Sequence, residues 1–165
     1  KEWPVERFVE LGRRLAREKG ATLVITGSAS EAAKAGTIRA ALDGAALDLS
    51  GRLDPGAFAE VMTAFDAFVS CDTSAMHFAC ALGLPSVTIF GPSDPRRYFS
   101  GGDQGFGSGQ THIALAPALW CSPCNLIRRP PDECDSADVP ECLGQITTAA
   151  VFDATLKALA SPRPV

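Results

Sequence analysis

The residues best suited to chemistry stand together in S-C-D-T-S-A-M-H, Ser70 to His77. A carboxylate, three hydroxyls and an imidazole fall there at the end of an apolar run, D-A-F-V-S-C, that reads as a strand. If a helix starts after Asp72, its free first-turn N–H groups and its dipole make a site for an anion, most naturally a phosphate. Thr73 and Ser74 add hydroxyl donors. His77 lies four residues after Thr73, so both share one helix face, and helical side chains lean toward the N-terminus, which brings the imidazole to the same anion. Asp72 would repel phosphate but suits a sugar hydroxyl, to which a carboxylate offers only acceptors. Structural readings stand beside these: Asp72 as a helix cap, and His77 as a partly buried ring in an otherwise apolar helix.

These residues need elements to position them. The spacing of Val5, Phe8, Val9, Leu11 and Leu15 predicts an amphipathic helix, with Pro4 suited to its first turn and Gly20 to its stop. Gly12, inside the apolar stripe, would let a neighbour approach closely. A-T-L-V-I-T-G reads as a short strand, S-E-A-A-K-A-G-T-I-R-A-A-L as a helix, A-A-L-D-L-S-G as a strand and D-P-G-A-F-A-E-V-M-T-A-F as a helix. The strand ending at Cys71, the helix of His77 and the strand P-S-V-T-I-F-G follow. Such alternation predicts an α/β fold, a doubly wound and mostly parallel sheet of the Rossmann-like kind. After Gly91 the pattern gives way to a Gly- and Pro-rich loop, one more strand in T-H-I-A-L-A-P, an irregular stretch over 120–143 and a closing helix in I-T-T-A-A-V-F-D-A-T-L-K-A-L-A.

In an open parallel sheet, ligands bind beyond the carboxyl ends of the strands. Three turns meet that edge: T-G-S-A-S-E, S-C-D-T-S and F-G-P-S-D-P. They bring Gly27, Ser28, Glu31, Gly91 and Pro92 into range as loop contacts. Ser28 and Ser30 also suit helix caps, Glu31 suits a first helical turn, and the glycines suit tight turns. No G-x-G-x-x-G opens a helix after a strand, which argues against a nicotinamide cofactor, and no P-loop, G-x-S-x-G or H-E-x-x-H is present.

The formal net charge of −4 argues against a nucleic-acid or anionic-membrane surface, because phosphate backbones are bound through clustered Lys and Arg. Pro95-Arg96-Arg97 and Ile127-Arg128-Arg129 remain local candidates for phosphate, or solvated loops. No apolar run reaches the ~18 residues of a membrane span, and K-E-W-P-V-E-R-F is no signal peptide. A cytosolic protein is expected, one that can work at the inner face of a membrane. Of six cysteines, Cys71 and Cys80 fall in apolar elements and read as buried small residues. Cys121-x-x-Cys124, Cys134 and Cys142 are free or adventitiously oxidised, disulfide-forming thiols, or a structural zinc site, the second pair being spaced by seven residues where a zinc ribbon has two.

K-E-W-P-V-E-R-F-V-E-L-G-R-R-L, L-V-I-T-G-S-A-S-E, L-D-L-S-G-R-L-D-P-G-A-F-A-E-V-M, F-V-S-C-D-T-S-A-M-H through F-G-P-S-D-P-R-R-Y, and C-S-P-C-N together resemble, in order and spacing, the C-terminal half of glycosyltransferase family 9, the ADP-heptose:lipopolysaccharide heptosyltransferases of Gram-negative bacteria. The D-T-[GS]-x-x-H turn followed by F-G-P is the most specific part. The resemblance implies the donor-binding half of an inverting GT-B enzyme with two Rossmann-like domains and no required cofactor. It also implies a donor of the ADP-heptose type and a glycolipid acceptor such as lipopolysaccharide core, held by the other domain. In the family the lysine matching Lys1 contacts donor phosphate and the acid matching Glu31 holds the ribose. The aspartate matching Asp72 contacts the transferred sugar, while Thr73, Ser74 and His77 surround the diphosphate and Leu53 falls near the base. Where the family has glycine this chain has Ser74, which places a side chain where backbone would approach phosphate.

In the family a strand, a glycine turn and an acceptor domain with the catalytic base precede the K-x-W-P motif. The resemblance therefore implies that residues 1–165 are a fragment without a catalytic residue of its own, expected to bind donor weakly and transfer nothing. Two other functions compete: a different GT-B-like nucleotide-sugar enzyme, such as an epimerase or a UDP- or GDP-sugar transferase, and a non-catalytic nucleotide-binding module with a metal knuckle.

Overall fold

The structure is a computed structural model that describes residues 2–99, 111–124, 134 and 140–161. Helix α1 (Val5–Lys19) begins one residue after Pro4, whose extended backbone (ψ 135°) sets the helix start while its carbonyl accepts from Phe8 N. It stops at Gly20, in the left-handed conformation (φ 64°) that glycine adopts without penalty. Strand β1 (Val24–Ile25), a 3-10 turn (Ala29–Glu31) and α2 (Ala32–Ala41) follow. Then come β2 (Leu47–Asp48), α3 (Pro55–Met62), β3 (Phe68–Cys71), α4 (Ser74–Ala81) and β4 (Ser86–Ile89). The chain continues through α5 (Arg96–Phe99), β5 (His112–Leu115), α6 (Glu141–Gly144) and α7 (Thr148–Leu159).

All strand pairs are parallel, as the alternation predicts. β1 pairs with β2, and β4 lies between β3 and β5, in register Cys71↔Ile89↔Leu115. The central position of β4 buries all four of its residues. Its odd-numbered side chains, with Val69, Cys71, Ile113 and Leu115 of its neighbours, pack into a cluster with α1 and α7. Phe68, on the opposite face, packs with Phe58, Met62, Phe78 and Ala79 of α3 and α4. Helices thus cover both faces of the three-stranded sheet. A third cluster joins Val9 of α1 and Ile38 and Leu42 beside α2 to Leu23 and Ile25. At Gly12 a Cβ would stand 3.2 Å from the Leu23 side chain and 3.3 Å from that of Leu42, which is the close approach its place in the stripe predicts.

The two outer helices are also joined by polar contacts. Thr148 Oγ1 donates to Glu10 Oε2 at 2.6 Å, and the Arg14 guanidinium lies 3.9 Å from the Phe152 ring centroid. Both tie α1 to α7 on the sheet face opposite α4.

Candidate functional site

Within each parallel sheet the following turns leave the strands on one side, those after β1 and β2 in the first sheet and those after β3 and β4 in the second. The first two are stitched together, Gly51 N donating to Gly27 O at 2.9 Å, with Gly51 at φ 68° and its missing Cβ only 3.0 Å from Ala29 Cα. The chain start reaches both groups of turns. Glu2 pairs with Lys34 in the first turn of α2, and Trp3 N donates to Cys71 Sγ at 3.4 Å, next to Asp72. Lys1 itself lies outside the described residues.

In the turn after β1, one oxygen of Glu31 accepts from Ser28 N at 2.8 Å and from Ser28 Oγ at 2.7 Å, a capping box that closes the 3-10 turn. Ser30 Oγ stands 2.8 Å from Ser28 Oγ. The Ser28 hydroxyl and amide hold the Glu31 carboxyl below its ordinary pKa, so Glu31 is ionised at neutral pH. Its capping role is therefore seen directly. After β2, Asp48 is held by Ser50 through N and Oγ, and Leu53 is half-buried just ahead of Asp54, the N-cap of α3, which accepts from Ala57 N at 2.9 Å.

The turn after β3 carries the densest group. Asp72 is buried, 8% exposed, and its amide extends the ladder to Ile89 O at 3.1 Å. The N-cap position of α4 falls one residue later, on Thr73, in extended conformation and with no side-chain capping bond. Thr73, Ser74 and His77 are all exposed. The apolar side of α4 is carried instead by Met76 and Ala79, 1% and 0% exposed. His77 therefore sits on the solvent face with Thr73, four residues apart, and the alternative of a core histidine does not hold, because the helix turns that position away from the β3–β4 face.

Gly91 ends β4 in a crowded place and is buried, while Pro92 is half-buried. The turn beyond it uses its own arginine: Arg96 Nε and Nη2 donate to both Asp94 oxygens at 2.9–3.2 Å, which lowers the Asp94 pKa. Arg96 and Arg97 are both exposed, and Arg96 is paired locally with Asp94. Arg128 and Arg129 lie outside the described residues. A separate cavity of about 290 Å³ is lined by Arg39, Ala46, Leu47, Asp48 and Arg52 and by no residue of the α4 turn. Its one carboxylate, Asp48, is already engaged by Ser50 N and Oγ, whereas the turn after β3 brings together a carboxylate, two hydroxyls and an imidazole.

Trp3, not singled out from the sequence, fastens the start of α1. Its indole is 1% exposed, donates from Nε1 to Ile146 O at 2.8 Å and meets the Phe8 ring edge-on at 4.9 Å. Arg7 Nη1 donates to the same carbonyl at 2.5 Å. An aromatic one residue before a proline-started helix was the available signal, but its partner stands 143 positions away.

All six cysteines are only partly buried, so Cys71 and Cys80 are less enclosed than their apolar elements predict. Burial pushes the Cys71 thiol up and that of Cys80 up to about 11, which keeps both protonated and inert. Cys121, Cys124, Cys134 and Cys142 are partly exposed free thiols. Among the described residues no group of three or more ligating side chains stands ready to hold a metal.

His112 is no candidate base: it lies in β5 with Nδ1 2.8 Å from Ser86 Oγ, and burial lowers its pKa. The fold thus prefers neutral imidazole, so the unfolded chain binds more protons once pH falls below about 6.5. Stability should decline as pH drops from there through the folded-state value. His112→Gln should flatten that part of a melting-temperature profile between about pH 7 and 5, and an unchanged profile would refute the assignment.

The sequence profile of glycosyltransferase family 9 (heptosyltransferase) matches residues 1–130. The chain is 34% identical over 124 residues to lipopolysaccharide heptosyltransferase 1 of Pseudomonas aeruginosa, a match covering 75% of this chain and 32% of that protein. It is 33% identical over 99 residues to lipopolysaccharide heptosyltransferase 2 of Salmonella typhimurium, covering 58% and 28%. The chain thus spans less than a third of either relative's length. Among solved structures it resembles E. coli ADP-heptose lps heptosyltransferase II (TM-score 0.72, 23% identity, 96% of this chain and 42% of that one). It also resembles the family 9 glycosyl transferase from Veillonella parvula (TM-score 0.74, 22%, 96% and 42%) and E. coli heptosyltransferase WaaC with ADP-2-deoxy-2-fluoro heptose (TM-score 0.65, 23%, 93% and 38%). These likenesses show the fold, a GT-B-type Rossmann-like half. No described helix is long and apolar enough to cross a membrane. The profile match over residues 1–130, on a fold whose D-T-S-x-x-H turn presents its imidazole to solvent, shows that the chain belongs to glycosyltransferase family 9, the heptosyltransferases.

Proposed function

We propose that residues 1–165 form the donor-binding domain of an inverting glycosyltransferase that moves a heptose-like sugar from a nucleoside diphosphate, ADP being the favoured one, to lipopolysaccharide core or a similar glycan. The observation that carries the reading is the exposed face of α4, with Thr73, Ser74 and His77 together at the helix tip and Asp72 recessed beside them. A leaving diphosphate gains charge as the glycosidic bond breaks, so a helix N-terminus, hydroxyls and an imidazole aimed at it stabilise the transition state. Asp72 accepts from sugar hydroxyls, Glu31 faces the ribose, Leu53 the base, Lys1 the phosphates, and Gly27, Ser28, Gly91 and Pro92 frame the edge. The described relative holding an ADP-heptose analogue supports this choice of donor.

Among the described residues β1 pairs with β2 alone and β3 with β4 but not with β1, while Trp3 brings the chain to the end of β3. This supports one Rossmann-like unit over 1–165, with the irregular stretch 120–143 within it, completed by a parallel strand between β1 and β3 and by an acceptor domain supplying the base. Alone, the unit binds donor and transfers nothing. It works in the cytoplasm, at the inner face of the membrane that carries its acceptor.

Calorimetry with ADP and ADP-heptose tests the assignment. His77→Ala should weaken both ligands by about ten- to a hundredfold, the worth of a hydrogen bond to a charged group. Asp72→Ala should weaken ADP-heptose alone. Equal losses of both ligands in both variants would refute the division of roles, and a preference for UDP or GDP would refute the donor.

A further inference from the structure

We propose that Ser70 and Thr88 are positioning residues for Asp72, holding its carboxylate through one shared internal water on the sheet face that α4 covers. Among the described residues three buried side-chain hydroxyls have no hydrogen-bond partner: Ser70 Oγ, Thr88 Oγ1 and Ser93 Oγ. They do not scatter. Ser70 and Thr88 stand side by side in the β3–β4 register, 9% and 1% exposed, and Ser93 follows in the turn after β4. A buried hydroxyl that has given up its bonds to water needs a new partner, and here the neighbouring side chains supply none.

Those neighbours leave one direction open. Side chains alternate along a strand, and Val69, Cys71, Val87 and Ile89 pack on the side of α1 and α7, so Ser70 and Thr88 face α4. Helix α4 packs across β3 and β4, and its buried side chains there, Met76 and Ala79, are apolar. Ala114, in register with Thr88 on β5, has no polar group to offer. One rung back, Ser86 is equally buried but satisfied, its Oγ 2.8 Å from His112 Nδ1. One rung forward is the buried Asp72, whose amide carries the β3–β4 ladder on to Ile89 O. The orphaned pair thus lies between a closed Ser–His pair and the recessed carboxylate.

Two residues along a strand span about 6–7 Å, more than one hydrogen bond and close to two of about 2.8 Å with a water between them. Three polar partners are what a buried water usually has. This one accepts from the two hydroxyls and donates to Asp72, which as a carboxylate only accepts. The other carboxylate oxygen is then held toward a sugar hydroxyl. The proposal rests on the reading of Asp72 as the sugar-facing acid and deepens it: Ser70 and Thr88 touch no ligand but set the aim of the group that does.

High-resolution crystallography and calorimetry on the whole chain test this. The crystal structure should show one water bonded to Ser70 Oγ, Thr88 Oγ1 and an Asp72 oxygen. Hydroxyls bonded to backbone carbonyls instead overturn the proposal, whatever Asp72 binds. Thr88→Val and Ser70→Ala should each weaken ADP-heptose about two- to tenfold, the worth of one hydrogen bond, and leave ADP unchanged. Neither should lower the melting temperature, since each removes an orphaned donor. Thr88→Ser should keep the affinity of the original chain, and in an Asp72→Ala background Thr88→Val should have no further effect. A change in melting temperature with no change in ADP-heptose affinity overturns the proposal, as does an equal loss of ADP. If Asp72→Ala spares ADP-heptose while the water is in place, the sugar-facing role of Asp72 falls and its positioning by Ser70 and Thr88 stands.

Discussion

Replacing Trp3 by alanine should lower stability by about 3–5 kcal/mol, the cost of emptying a large aromatic site in a core that cannot collapse around it. For a chain of this size that is a fall of roughly 10 °C or more in melting temperature. The site is tightly filled: Trp3 is 1% exposed and joins Leu11, Val87, Ile89, Leu143 and Val151 in the main cluster. Its indole N–H is satisfied by Ile146 O, so the residue combines apolar burial with a made hydrogen bond. Trp3→Phe separates the two contributions. Arg7 also donates to Ile146 O, so that carbonyl is not orphaned, and Trp3→Phe should cost well under half of Trp3→Ala. Urea unfolding of both variants checks this, and equal losses would show that the hydrogen bond, not the volume, holds the start of α1.

Gly91→Ala should cost about 1–3 kcal/mol by overpacking. The added methyl would stand 2.9 Å from Leu143 Cγ, 3.0 Å from its Cδ2 and 3.2 Å from Cys142 Sγ. Leu143 is 1% exposed and fixed in the main cluster, so it is not the free end of a flexible side chain. The relief experiment is Gly91→Ala in a Leu143→Ala background. Leu143→Ala alone should destabilise by about 2–5 kcal/mol, and adding Gly91→Ala should then cost much less than it does in the original chain. Strict additivity in the double variant would remove the steric explanation.

Much of the fold could be read from local pattern. α1 ends at Gly20 as its left-handed cap demands, the β/α alternation predicts parallel pairing, and His77 falls on the face of Thr73 by helical arithmetic. The boundaries were less legible. A-T-L-V-I-T-G yields only Val24–Ile25 as strand, because its partner β2 is equally short and its other side bonds no described strand. Arg96 looked available for phosphate by composition, yet Asp94 two residues earlier engages it, a local competition that a charge count does not see. Glu31, with Ser28 three residues before it, was readable as a capping box from spacing alone.

By itself the sequence determined the family, the order of strands and helices, and which residue types stand at the ends of the strands. Periodicity and helix-end chemistry act over a few residues, and a motif such as D-T-S-x-x-H carries its geometry within two turns. Only the tertiary structure decided that Trp3 closes on Ile146, that Gly91 is wedged between Leu143 and two ends of the thiol segment, and that Asp72 is recessed while His77 is not. Those outcomes depend on contacts between residues tens to over a hundred positions apart, whose closeness is set by how the sheet stacks its helices and leaves no trace in local spacing.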